Sequence, residues 1–363
     1  MKKLVLLLTA AVFVLVTALP VWAKEPATLE LTLSQAVSLA LEHSEAVKKA
    51  ASQVDLTWDK QDYQSEQLGF TPTGPSGNPE VEVAWANVMT ATLEYSMAKR
   101  SLKVAEDTVA LDACKKYWAV QNSLGAVEVA EQSLKQADLE LNKAKVSCKV
   151  GLISTDALLA AESQQAGAKY ALAKAQNDLD TAYTAFNQLV GLWSVDRPVL
   201  VDEIAYIPME NPDEEYAVAY ALSNSPTVWL SEQNVNMQEI FKDLMFYTGN
   251  YRTYEARKIE AEQAKLDAVG AREAAEILAR NLFYSVRVLE ENYPVVEQTI
   301  KLAEENLRVG QLKYQLGMLT KAEVSALETA LAQARQGLLE LKNNHAYLKL
   351  TLEKPWAASS RVT

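Results

Sequence analysis

Two histidines, His43 and His345, and two cysteines, Cys114 and Cys148, are all the imidazole and thiol chemistry the chain has. None sits in a pattern that supports a reaction. There is no phosphate loop, no HExxH, no Gly-x-Ser-x-Gly and no metal-ligand cluster. His345 falls in the series Leu338, Leu341, His345, Leu348, Leu352, whose helical spacing marks a packing seam. Cys114 and Cys148 are 34 residues apart. On one helix that separation is about 50 Å, far beyond the ~7 Å between Cα atoms that a disulfide tolerates. The reading is therefore a non-enzyme with no cofactor and no metal site. What remains is carboxylate chemistry. Asp156, Glu162, Glu323 and Glu328 recur beside two glycine turns. Acids there serve either a helix N-terminus or a solvated face, or they form a ring on a symmetry axis that concentrates cations and filters what enters.

The elements that would hold those acids come as a duplicated unit. "KVGLISTDALLAAE" begins at Lys149 and "QLGMLTKAEVSALE" at Gln315. Before the first turn, Val127, Ala130, Leu134, Ala137, Leu141, Ala144 and Cys148 alternate at spacings of three and four. After it, Leu158, Ala161, Gln165, Ala168, Leu172, Ala175, Leu179, Ala182, Phe186 and Leu189 do the same. This is the seam of two antiparallel coiled-coil helices joined at Gly151. Shifted by 166 residues the pattern returns: Ala130, Leu134, Ala137 and Leu141 map to Val296, Ile300, Ala303 and Leu307, and Gly151 maps to Gly317. "QAVSLALEHSEAV" from Gln35 likewise matches "YAVAYALSNSPTV" from Tyr216. The first half holds extra residues in the turn-rich stretch Gly69–Pro79, where the second has only Tyr247–Tyr251.

Composition agrees. Lys and Arg total 35 against 47 Asp and Glu, a net charge of −12 with no basic stripe, which disfavours nucleic acid. Gly (12) and Pro (11) are scarce, as long helices require. "MKKLVLLLTAAVFVLVTALPVWAKE" reads as a cleavable export signal ending at Ala23, and no later segment is apolar enough to span a membrane as a helix. The expected division is 1–23 signal, 24–190 first helical repeat, 191–213 extended linker, 214–354 second repeat and 355–363 tail. Pro79–Tyr95 fits both a strand's period and a helix's. Asn78-Pro79-Glu80 is a good helix start, and no Gly or Pro follows until Gly125, so helix is the reading. The long helices are expected over about Pro79–Val150 and Tyr251–Leu316, with Pro294 kinking the second unless its neighbours compensate.

The duplication, with "LTLSQAVSLALEHSEAV", "KVGLISTDALLAAESQQAGAKYALAKAQNDLDTAYTAFNQLVG" and "QLGMLTKAEVSALETALAQARQGL", resembles the TolC family of outer-membrane efflux proteins over nearly the whole mature chain. The resemblance implies an all-α body of duplicated long coiled-coil hairpins. It also implies a homotrimeric duct in the cell envelope, by family resemblance at the outer membrane, that passively conducts solutes for efflux or export. The partners would be a periplasmic adaptor and an inner-membrane pump. Gly151, Leu152, Ile153, Gly317, Met318 and Leu319 would lie at the tip facing the adaptor, and Asp156, Glu162, Glu323 and Glu328 at the pore constriction. The chain departs from the family in one respect. A membrane strand needs about 9–11 residues, and the second half leaves no room for a pair, so a shortened member with little or no β-barrel is expected. The alternative function is an exported, non-conducting coiled-coil structural or adaptor-like envelope protein.

Overall fold

The computed structural model describes residues 28–69, 78–210, 213–243 and 253–359. The expected signal Met1–Ala23 lies outside them, as do most of the Gly69–Pro79 stretch, Tyr247–Tyr251 and the last four residues of the tail. In chain order the elements are β1 (Glu30–Leu31), α1 (Leu33–His43), α2 (Glu45–Glu66), α3 (Pro79–Lys149), α4 (Thr155–Val190), β2 (Val199–Leu200), α5 (Glu214–Asn224), α6 (Pro226–Asp243), α7 (Tyr254–Gln315), α8 (Lys321–Glu353) and α9 (Pro355–Ser359). The fold is all-α, two long hairpins in tandem. Among the described residues the strands are only β1 and β2, which pair in parallel with Glu30 opposite Val199. No described helix is long and apolar enough to cross a membrane.

The ambiguous stretch from Pro79 is helical throughout. The Asn78 side chain accepts from the Glu80 N–H at 3.0 Å, Pro79 stands at the first turn, and Glu80 and Glu82 follow. Period-two alternation lost because a lone strand has no ladder partner there, whereas the helix satisfies its own backbone. α3 has 71 residues and α7 has 62, about 105 and 95 Å at 1.5 Å per residue.

Helices of this length need lateral partners. α3 packs on α2 along its first part and on α4 along its second. α7 packs on α6 and then on α8 in the same way. α8 lies between α3 and α7, and α6 also touches both, so the two halves form a row of helices with α2 and α4 at one edge and α7 at the other. The seam on α4 is where the spacing places it. From Leu158 to Ala182 the shielded residues are Leu158, Ala161, Gln165, Ala168, Leu172, Ala175, Leu179 and Ala182, and every residue between them is exposed. α4 is therefore covered along one stripe.

The core lies where α1, the middle of α3, the end of α4 and the two-stranded sheet meet. Tyr117, Phe186, Val120, Ala36, Ala40 and Ala113 are sealed there. Tyr117 and Phe186 meet edge to face at 6.1 Å. The Tyr117 hydroxyl donates to the Leu31 carbonyl and accepts from the Asp202 N–H, both at 3.1 Å. The extended linker is thus fixed to the first hairpin at β2.

Farther on, the linker straps the second hairpin. The Tyr206 ring stacks on Tyr293 with centroids 3.7 Å apart. The Met209 N–H donates to Glu290 Oε1 at 2.7 Å, and His345 Nε2 lies 3.1 Å from the same oxygen. His345 is buried, as its seam position requires, with the strap as its second role. α7 runs through Pro294 without a break. Pro294 withholds the N–H owed to the Glu290 carbonyl, and the strap packs on that same turn.

Candidate functional site: the two hairpin tips

Both tips close with one local motif. Gly151 and Gly317 have φ of +74° and +72°. The Leu152 N–H reaches the Ser147 carbonyl at 2.8 Å and the Gly151 N–H reaches Cys148 at 3.0 Å. At the other tip Met318 reaches Lys313 at 2.8 Å and Gly317 reaches Tyr314 at 2.9 Å. These are paired bonds that satisfy the last helical carbonyls, and they need a left-handed residue that glycine supplies without a Cβ penalty. The same sentence occurs twice because the same chain reversal occurs twice.

The acids divide. The Glu323 carboxylate accepts from the Thr320 N–H at 2.7 Å and from its hydroxyl at 2.9 Å, completing a capping box at the start of α8. Those bonds hold its carboxyl below the usual carboxylate range, with the Lys143 ammonium adding a smaller effect. Glu328 pairs with Lys135 at 3.0 Å across the α3–α8 contact. Asp156 and Glu162 are exposed on α4. Two of the four candidates for a constriction therefore have intramolecular work already.

A pH effect follows from Glu323. A carboxylate whose folded pKa is depressed contributes stability that is present above its unfolded pKa, about 4.3, and is lost as pH falls through the lower folded value. Protection of the Thr320 amide against hydrogen exchange, taken relative to its intrinsic rate, should therefore fall as the pH drops below the usual carboxylate range. In Glu323→Gln the side-chain amide oxygen still accepts that bond and does not titrate, so the protection should stay constant with pH.

The exposed apolar side chains of the tips include Val146, Val150, Leu152, Leu316 and Met318. Only Leu152 and Met318 are among the residues singled out from sequence. Ile153 and Leu319 are partly shielded. Behind the tips, α3, α7 and α8 enclose a groove of about 410 Å³ lined by Gln132, Lys135, Glu328, Arg335 and Gln336, among others. Cys114 is buried, and burial pushes its thiol up to about 11, the reverse of what a nucleophilic thiolate needs. His43 lies on α1 against the backbone of Gly191, so the structure does not bring the two histidines and two cysteines together.

The most extensive feature that the seam analysis missed is on α7. Its buried residues Ala261, Ala264, Ala279, Leu282 and Val286 face α5, α6 and α8, with Ala279 against Val218 and Ala221 of α5. On the opposite side Ile259, Leu266, Ile277, Tyr284, Val288, Val295 and Leu302 line up and are 47–65% exposed. At 100° per residue these seven lie within about 20° of one line. That line spans some 65 Å. Their separations, mostly seven and otherwise four or eleven, were visible in the sequence.

A row of long helices capped by paired glycine turns is a fold that solved outer membrane channels share. Solved structures with this fold include the CmeC outer membrane channel of Campylobacter jejuni, at 10% identity over 93% of this chain and 90% of that chain, with a TM-score of 0.68. The VceC outer membrane protein of Vibrio cholerae matches at 15% identity over 90% and 96%, TM-score 0.64. The MtrE outer membrane channel of Neisseria gonorrhoeae, in its open state, matches at 15% over 90% and 88%, TM-score 0.62. No protein-family model and no curated protein matches the sequence. At these identities the likeness establishes the fold.

Proposed function

We propose that the chain is a TolC-family protomer that assembles as a homotrimer into a helical duct of the cell envelope. The duct conducts solutes passively for efflux or export while a partner pump supplies the energy. The apolar line on α7 carries this reading. Seven large apolar side chains exposed along some 65 Å of one edge mark an interaction surface. The other edge of the row offers it a partner: opposite their packed stripes, α2 exposes Leu56 and Tyr63, and α4 exposes Leu159 and Tyr170. Two unlike edges on one row make a head-to-tail contact, and such contacts close into rings when the rotation between copies closes. The fold likeness to outer membrane channels supports a ring of three around an axial space. Export through the Met1–Ala23 signal, docking of the tips on an adaptor, and acids at a constriction are parts of the same reading.

The test is the mass and conductance of the full-length protein. The expected result is a trimer by native mass spectrometry and discrete conductance steps in a planar bilayer. A trimer with no conductance would favour the second reading, an envelope scaffold. The absence of strands longer than two residues among the described residues supports that alternative. A stable monomer would overturn both the ring and the duct.

A further inference from the structure

The two tips have the same local motif but stand at different heights. Along the α3–α8 contact the Thr329 hydroxyl reaches the Gln132 carbonyl at 3.3 Å. Thr329 is twelve residues above Gly317, whereas Gln132 is nineteen above Gly151. Gln336 lies against Gly125 and donates to the Asn122 carbonyl at 2.9 Å, which gives the same sense of offset. The first tip therefore projects beyond the second by about seven residues, or roughly 10 Å.

The start of α8 is covered, with helices to both sides of it. At the start of α8, Ala322, Val324 and Ser325 are buried. Their repeat equivalents on α4 are Asp156, Leu158 and Leu159, of which Asp156 and Leu159 are exposed and Leu158 is half-buried. The second tip rests beside α3, and the first stands clear of α8.

The step leaves part of α3 without its cover. Asn122, Gly125, Val129 and Gln132 face α8, and Gln136 and Leu139 follow at the same spacings of three and four. Lys143, Val146 and Val150 continue the series past the start of α8. Val146 and Val150 are 64% and 65% exposed, and Leu152 at the turn is 78% exposed. This is a coiled-coil stripe in unbroken register with an interface that a helix already occupies, so the shape that fits it is another helix. Its charge is specific. Lys143, Lys145 and Lys149 border the stripe on a chain whose net charge is −12. Among the described residues, Lys145 and Lys149 have no carboxylate within ion-pair range.

We propose that the uncovered end of α3, from Lys143 to Leu152, is a docking ledge for an acidic α-helix of a partner protein. The first-hairpin tip makes this contact, and the second tip is recessed from it. The proposal rests on the reading that the tips face a partner. It adds which tip binds, in what register, and the charge of the helix.

The test places a photo-crosslinking amino acid at position 146, 150, 316 or 318 of the full-length protein in its own cells, and sequences the adducted peptides. The expected result is adduct at 146 and 150 in at least tenfold excess over 316 and 318, on peptides of helical periodicity with more acidic than basic residues. The double variant Lys143→Glu/Lys149→Glu alters only exposed side chains and should lower the yield at 150 at least tenfold. Equal yields at both tips, basic peptides, lipid adducts, peptides of a second copy of this chain, or no adduct would each overturn the ledge. Trimer mass and conductance of the same preparations separate the two ideas. A conducting trimer with equal yields removes the ledge and keeps the duct. The tenfold asymmetry on a non-conducting protein removes the duct and keeps the ledge.

Discussion

Val288→Glu/Val295→Glu is expected to turn the assembled protein into a folded monomer and abolish conductance. Both side chains point away from the faces of α7 that bury Val286 and Phe283. Within one protomer they are surface substitutions, which ordinarily change stability by no more than about 0.5 kcal/mol. In the assembly each interface would lose two buried valines, about 1.5–3 kcal/mol apiece. It would also have to take two carboxylates out of water at several kcal/mol each. A loss of at least about 6 kcal/mol per interface weakens association by more than four decades. Sedimentation velocity should show the shift in mass, and far-ultraviolet circular dichroism should show unchanged helix content. Val288→Leu/Val295→Leu keeps the apolar line and should keep the trimer. A glutamate variant that still sediments as a trimer would show that the α7 line is not the interface.

The seams inside each hairpin were legible because they are local. A three-four alternation on one helix needs only its antiparallel neighbour, and the turn at Gly151, between Cys148 and Leu158 of the two seams, fixes which residues face each other. The helical state of Pro79–Tyr95 was legible for a similar reason, since the cap at Asn78 and the lack of any break outweigh alternation. The α7 line was in the sequence too. It escaped because the repeat comparison seeks residues that match their equivalents, and the α7 line continues past the point where the halves diverge. The offset between tips was not legible. Duplication makes the halves look level, and the offset arises only from how α8 settles on α3, through contacts such as Thr329 to Gln132 that span about 200 positions in sequence. The role of Glu323 shows a further limit. Its spacing from Thr320 marks a capping box as plainly as its neighbourhood suggests a constriction, and the cap is formed.

Tyr117→Ala is expected to be among the most destabilising single substitutions, at about 3–5 kcal/mol, the usual range for removing a large aromatic side chain from a core. The ring is sealed and meets Phe186 edge to face. The hydroxyl joins two parts of the chain that are far apart in sequence, the carbonyl of Leu31 and the amide of Asp202. The Asp202 carboxylate in turn accepts from the Leu33 N–H at 2.6 Å, so the start of α1 and the exit of β2 are held through one side chain of α3. Tyr117→Phe separates the two contributions. It keeps the ring and leaves the part-buried Asp202 amide without its partner, at about 1–3 kcal/mol, while the Leu31 carbonyl keeps the Val201 N–H at 3.2 Å. Burial of the phenol raises its pKa, so the hydroxyl stays protonated and the difference between the two variants should not vary across neutral pH. Urea unfolding at fixed protomer concentration measures both. The sheet of β1 and β2 is only two residues long, so the linker leans on side chains such as Tyr117 and Gln121. Tyr117→Phe should therefore raise amide exchange at Val199 and Val201, which bond to β1 and its flank, before it changes the hairpins. Equal protection of those amides in the parent and Tyr117→Phe proteins would show that packing alone secures the linker.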